Sequence, residues 1–557
     1  MPTDAPSRTA ATLERIALAG LGVLFVALAW PQRWFNDDAF ITFRYARNLA
    51  EGHGFVWNII DPVPVEGTTS LGWTLLSALV IALRQHPTIA AQLVGLAAGV
   101  AGLVLVRVAA RRVDLPVGWA LVPVLLLVAH RQYVLWSVSA METVAAVVVA
   151  LAATILLARE ADVDGTAPWR PVSGALFLLA TLLRPEAPLL HAAAGAGVLA
   201  ARPTRSALTR VGLSGAVHAA GLAALTAWRL GTFGQALPNP FYVKVGGFQW
   251  SRGATYLVEY LDQYHALLWI LPLVAGVYTV LARRDVLGSA LVAQAATFVA
   301  WIVAIGGGRW EFRFVVPVLP AWAVLVAVGL RALAHARGRD RRAATRRWLA
   351  IGLAACVVVS QAATLYRPFR MFDTMMSREN LHRAALAMLI DGARLSEVLG
   401  PEDRIATGWA GAVPYLTRAW HFDPWGLNHP AARNWPFDRK GVLFHQRHAT
   451  WEMLAAEDVQ FVDIFNQFVY RRPLPPRTLM PKVRPWASAG ELVYCVELPG
   501  QREPWYWIFA SPQPRRWVDE WLAAHGLRLV YAMPLPGPGR PGRGPGRAPD
   551  LLHREGR

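Results

Sequence analysis

Two adjacent carboxylates, Asp37 and Asp38, stand a few residues past the first long apolar run. A carboxylate beside a low-dielectric boundary holds its proton more tightly, and a neighbouring carboxylate strengthens that hold. This suits a general base. Adjacent side chains rarely point the same way, so one acid is expected to do chemistry and the other to orient or hold a substrate. Helix capping is a second reason for acids here, because Asn36-Asp37-Asp38 leads into the helix-like AFITFRYARNLAEG, and Asp is favoured at such starts. The two roles are compatible. Arg44, His53 and Glu66 follow, then the hydroxyl-rich Thr68-Thr69-Ser70. Carboxylates, hydroxyls, His and Trp together suit sugar binding.

Further charged residues recur beside apolar runs: Glu142, Arg184, Lys244, Arg309, Glu311 and Arg313, with Tyr242 among them. Guanidinium groups bind phosphate bidentately, so Arg184, Arg309 and Arg313, with Lys244, are the candidates for a lipid-linked phosphate. Glu66, His53, Arg44, Glu142, Glu311 and Tyr242 are candidates for sugar or acceptor binding. The bland reading of each cation is a snorkelling side chain at a helix end. There is no CxxC pair, HExxH, Walker loop or GxSxG. His421 and His429 flank Asp423, with His445 and His448 close by. Surface histidines of a soluble domain are the preferred reading there over a metal site.

The elements that must position these residues are apolar. The chain has 557 residues, 55% hydrophobic and 17% charged, below the ~25% charge of ordinary soluble domains. Spans are expected at 14–30, 89–106, 115–130, 143–158, 172–184, 186–201, 211–229, 265–282, 286–305, 314–330 and 348–365, about eleven in all. The first lacks a small-residue cleavage site and is read as an uncleaved span. Residues 71–83 are short for a crossing and are read as an interfacial or re-entrant helix. The helix AFITFRYARNLAEG (39–52), closing at Gly52, is expected to lie flat on the membrane, apolar face down. With the N-terminus cytoplasmic, Arg-rich loops alternate as positive-inside topology asks. This leaves 31–88, 131–142, 184–186, 230–264 and 306–313 as loops on the outer face. The net charge of +18 is explained by those basic loops and the tail, so no nucleic acid is implied. Cys356, in a span, and Cys495 are not expected to pair. The expected fold is mostly α: a polytopic helical membrane part (1–365), a soluble α/β extracytoplasmic domain (366–530) and a disordered Pro/Gly/Arg-rich tail (531–557).

The motifs DDAFITFRYARNLAEGHGFVWN, PVEGTTSLGW, SAMET, LLRPE, PNPFYVKV and GGGRWEFRFVVPVLP occur in this order. Together they resemble bacterial membrane glycosyltransferases of the GT-C class, with the greatest similarity to the mycobacterial terminal β-1,2-arabinofuranosyltransferase family. AGAVPYLTRAWHFDPWGLNHP (410–430) is similar to the start of that family's external domain. The resemblance implies an inner-membrane enzyme, a polyprenyl-phosphate sugar donor, a glycan acceptor, an acid of the first external loop as base, and inversion at the anomeric carbon. Asp37 and Asp38 match the family's acid pair, and Arg313 its RF-x-x-P arginine. No cofactor is implied with certainty, and a divalent cation is compatible with the acids. Where the family often carries an acid before the RF motif, this chain has Gly308. Either Glu311 takes over part of that role or the acceptor site differs. The rival readings are a flippase for a lipid-linked glycan, which would show repeated halves, and a protein-directed glycosyltransferase.

Overall fold

The computed structural model describes residues 8–162, 170–244, 247–335, 341–366, 376–438, 445–480, 483–487, 489–500 and 503–535. The protein is a mostly helical membrane protein with a sheet-containing C-terminal domain. Among the described residues, seven helices are long and apolar enough to cross a membrane: Thr9–Gln32, Pro87–Arg112, Thr143–Asp162, Arg205–Phe233, Val286–Ile305, Arg313–Ala334 and Ala344–Thr364. An eighth is broken: Trp119–Ala129 and Arg131–Ser137 meet at 66°. His130 makes the break, its ring accepting from the Gln132 N–H at 3.2 Å. The shorter apolar helices Val172–Leu183, Ala187–Ala201 and Ile270–Ala282 complete the eleven expected apolar segments. Arg337 and Arg339 of the basic loop 331–347 lie outside the described residues.

Two expectations change. Residues 131–142 are not a loop at the surface: Arg131–Ser137 is a helix with every residue buried. Nor does helix Asp37–Ala50 lie on a membrane. Ten of its residues, from Asp37 to Asn48, are buried, because it is sandwiched between Leu71–Ala82 on one side and helices of the C-terminal domain on the other. Asp37 and Asp38 in its first turn and Arg47 in its last complement the helix dipole.

Polar contacts knit the apolar helices together. Ser173 donates to Glu160 and lies 2.8 Å from Ser214, which contacts His191 at 3.2 Å; His191 meets His218 at 2.7 Å, and His218 meets Thr181 at 2.9 Å. Such bonds between helices replace the hydrophobic drive that lipid does not supply.

Among its described residues, the C-terminal domain carries seven strands: β1 Arg404–Ala406, β2 Trp420–Phe422, β3 Phe461–Val462, β4 Val469–Tyr470, β5 Leu492–Leu498, β6 Trp505–Ala510 and β7 Arg528–Pro534. Their order is β2-β1-β3-β6-β5-β7, with β4 on β6. β2, β1 and β3 run parallel, and the rest pair antiparallel. β7 passes the boundary expected at 530, and the tail from 536 lies outside the described residues. Cys356 and Cys495 are both free.

The first polar loop binds the two parts into one unit. Arg44 donates to the carbonyls of Trp57 (2.8 Å) and Ala419 (2.9 Å), to Asn58 Oδ1 (3.0 Å) and to the Pro414 carbonyl. Asn239 Nδ2 donates to the carbonyls of Gly426, Leu427 and His429 at 2.9 to 3.0 Å. Ion pairs Glu51–Arg418 and Asp61–Arg404 lie at the rim.

Candidate active site

The two acids part company. Asp37 is 2% exposed. Its carboxylate accepts from the Gly411 and Ala412 N–H groups, each at 2.8 Å, at the start of helix Ala412–Thr417. Asp37 therefore caps a helix, but one in the C-terminal domain. Burial raises its pKa to about 7, against the two backbone bonds and with help from Asp38. Gly411 is required by this approach, since a Cβ there would sit 2.0 Å from the Asp37 carbonyl oxygen. Asp38, the next residue, is half-buried. Its carboxylate makes no hydrogen bond or ion pair among the described residues. It opens instead into two adjoining cavities.

The smaller cavity, about 80 Å³, is lined by Asp38, Thr42, Gly67, Thr68, Thr69, Ser70, Glu142, Pro240, Lys244 and Arg313 among others. Four of the five loops expected on the outer face meet here. The fifth supplies Arg184, which pairs with Glu142 at 3.1 Å. Glu142 also takes Arg313 at 2.5 Å, and Arg313 Nε donates to Thr143 Oγ1 at 3.0 Å. Arg184 and Arg313 head a narrow apolar groove of about 20 Å³ among Ala146, Val147, Ala150 and Leu190. Lys244 has no ion pair among the described residues. Burial lowers its pKa, and Asp38 pulls it back up.

The larger cavity, about 640 Å³, lies between helix Asp37–Ala50, helix Arg378–Leu395 and the C-terminal domain; Asp38, Ile41 and Leu427 line both cavities. Its domain wall is made of the segments that leave the parallel strands: Gly408, Trp409 and Ala410 after β1, Asp423 and Trp425 after β2, Asn466 and Gln467 after β3. The carboxyl ends of parallel strands are where open α/β sheets bind ligands. Arg309 is here rather than with Arg313. It bonds the His445 ring, and burial pushes its pKa down to about 10.

The other sequence candidates lie elsewhere. Glu66 is held by Arg229 at 2.7 and 2.9 Å. Glu311 is buried against Arg131 at 2.6 Å, so it does not stand in for the acid absent at Gly308. Arg44 is the clasp described above. His53 is exposed beside Glu51, and the Tyr242 hydroxyl accepts from the Leu237 N–H at 3.3 Å. Neither lines a cavity described above. Of the four histidines singled out in the soluble domain, His421 is not on the surface: it is 1% exposed and bonds Trp57 Nε1 at 3.1 Å and the Thr407 carbonyl at 3.1 Å, while His429, His445 and His448 are half-buried. No group of three or more His, Cys, Asp or Glu residues that could hold a metal occurs among the described residues. Asp423, Trp425, His445 and Arg484 were not singled out as ligands from sequence. The signal for Asp423 and Trp425 was the dense Trp and His content of 409–430; His445 and Arg484 lie outside that stretch.

A helical membrane body whose polar loops close a site against a C-terminal sheet domain is the architecture of the GT-C class of membrane glycosyltransferases, and the chain has that fold. It superposes on the archaeal oligosaccharyltransferase AglB of Archaeoglobus fulgidus, determined with an inhibitory peptide and a dolichol-phosphate, with a TM-score of 0.54 at 13% identity over 95% of this chain and 77% of that one. It also superposes on ArnT of Cupriavidus metallidurans bound to undecaprenyl phosphate, with a TM-score of 0.53 at 13% identity over 91% of this chain and 98% of that one. In sequence it is 39% identical over 61 residues to the terminal β-(1→2)-arabinofuranosyltransferase of Mycobacterium tuberculosis, a match that spans 11% of this chain and 9% of that relative. No protein-family model matches the chain.

Proposed function

We propose that this protein is a membrane glycosyltransferase that moves a sugar from a polyprenyl-phosphate donor to a glycan acceptor at the outer face of the inner membrane. One observation carries the reading: Asp38 lies open at the junction of a small cation-lined cavity and a large aromatic-lined one. The small cavity takes the donor phosphate between Arg313 and Lys244, with the lipid leaving along the apolar groove headed by Arg184. The large cavity takes the acceptor. An acceptor hydroxyl between them gives its proton to Asp38 as its oxygen attacks the anomeric carbon from the face opposite the phosphate. The C–O bond to the phosphate breaks, and the electron pair leaves with the polyprenyl phosphate. Arg313 and Lys244 stabilise the charge that develops there. A single displacement of this kind inverts the anomeric centre. Asp37 acts as a positioning residue, holding the C-terminal domain so that Asp38 faces the acceptor. Arabinofuranose is the first sugar to try, on the strength of the 61-residue match.

The test is a screen of purified protein in detergent against several polyprenyl-phosphate sugars, with release of polyprenyl phosphate as readout. Release with at least one donor, lost in Asp38→Asn, is the expected result. No release with any donor, together with movement of lipid-linked glycan across proteoliposomes, would replace the transferase reading with a transporter.

A further inference from the structure

The wall of the large cavity is unbalanced. Three guanidinium groups line it, Arg309, Arg383 and Arg484, and none makes a contact ion pair among the described residues; Asp38 acts on Arg309 and Asp463 on Arg484 only through space. Arg309 bonds the ring of His445, which burial and the neighbouring cations hold well below its usual pKa and therefore neutral. Arg383 bonds Asn380 Oδ1 at 2.7 Å and the Glu379 carbonyl at 3.3 Å. Arg484 lies over the rings of Trp486 and Trp425, at 5.6 and 5.9 Å.

Of the acids on the same wall, Asp37 is anchored by two backbone N–H groups, and Asp423 by the N–H groups of Trp425 and Asn428 and by Asn428 Nδ2, all at 3.0 Å. Only Asp38 is unanchored. The orphaned atoms tell the same story. Arg309 Nε, Arg484 Nε and Trp409 Nε1 are shut off from water without a partner among the described residues. All three are donors, and no acceptor of this wall is orphaned. Guanidinium groups on a cavity wall without contact ion pairs suit a ligand rich in acceptor oxygens, because charge-assisted hydrogen bonds to oxyanions are the strong ones. A cavity of about 640 Å³ falls within the ~300–1,000 Å³ of small-molecule sites.

We propose that the acceptor carries an anionic group, a carboxylate or a phosphate, which Arg484 and Arg309 bind while its nucleophilic hydroxyl lies at Asp38. Trp409 and Trp425 supply faces and edges for the sugar rings beside it. This rests on the assignment of the large cavity to the acceptor.

The experiment is a tryptophan-fluorescence titration of the full-length protein in detergent. The probes are three disaccharides of one linkage, ending in glucose, glucuronic acid or glucose 6-phosphate. At least one acidic probe is expected to bind about tenfold tighter than the neutral one, as a charge-assisted contact implies. That preference should shrink in high salt. Arg484→Gln and Arg309→Gln should each bring it down to about threefold or less, with the melting temperature kept as a check on folding. The stronger of the two acidic probes identifies the group. Equal binding of neutral and acidic probes, or a preference that survives both substitutions, would overturn the inference. Asp38→Asn separates this from the transferase reading: it should abolish donor turnover while the preference for acidic over neutral probes persists. Turnover that persists in Asp38→Asn would remove the proposed base and leave the anionic subsite standing.

Discussion

Asp37 and Asp38 should separate stability from catalysis. Asp37→Ala leaves the Gly411 and Ala412 N–H groups unpaired at a buried helix start. At ~1–3 kcal/mol for each buried donor, the loss is about 2–6 kcal/mol, large against the ~5–15 kcal/mol of an ordinary domain. Asp38→Ala removes no hydrogen bond, so its effect on stability should stay within about 0.5 kcal/mol. Catalysis should rank the other way. Loss of a general base costs about 10²–10⁴ in rate, or ~3–5 kcal/mol on the barrier. Polyprenyl phosphate release and tryptophan-fluorescence unfolding in one detergent give both readouts. Gly411→Ala attacks the Asp37 contact from the other side, so in a double-mutant cycle its cost and that of Asp37→Ala should not add. An Asp37→Ala protein as stable as wild type, or an Asp38→Ala protein keeping a tenth of the wild-type rate, would refute the division of labour.

Other expectations follow from the same contacts. The folded chain holds the Asp37 proton up to about pH 7, against 3.8 for the ordinary carboxyl. Its contribution to stability is therefore full below pH 3.8 and is lost as pH rises through 7. The unfolding penalty of Asp37→Ala should shrink between pH 5 and pH 8 by this contribution, and a penalty that grows over that window would show the sign to be wrong. Arg313→Lys keeps the charge but loses the fork that reaches Glu142 and Thr143. The donor KM should rise about tenfold, and an unchanged KM would place the phosphate elsewhere. Glu66→Gln should lower the unfolding midpoint without changing either KM, because Glu66 faces Arg229; a change in acceptor KM alone would return Glu66 to the sugar site.

What sequence could reveal was set by range. Apolar runs are local, so the helical body was readable, as was the gathering of Asp38, Glu142, Lys244 and Arg313 at one place. Arg44 and Glu311 looked like ligands because a charge beside an apolar run has few local explanations. Their partners, the Ala419 carbonyl and Arg131, lie 375 and 180 residues away. The same blindness hid the burial of helix Asp37–Ala50, whose second face is covered by a domain at the far end of the chain. His130 reads as one polar residue in an apolar stretch, and only its ring bond to the next turn shows the span breaking there.

The pairing of two acids then has a structural logic. Successive residues on a helix point about 100° apart, so Asp37 and Asp38 cannot serve one site in the same way. The first turn of Asp37–Ala50 directs Asp37 to the start of helix Ala412–Thr417, and that places Asp38 over the cavities. The anchor fixes the proposed base. Because the segments after β1, β2 and β3 form the far wall of the large cavity, the contact that orients Asp38 also assembles that wall. Changes at Gly411, outside every cavity described above, should therefore lower the transfer rate through the position of Asp38 and leave binding at the small cavity unchanged.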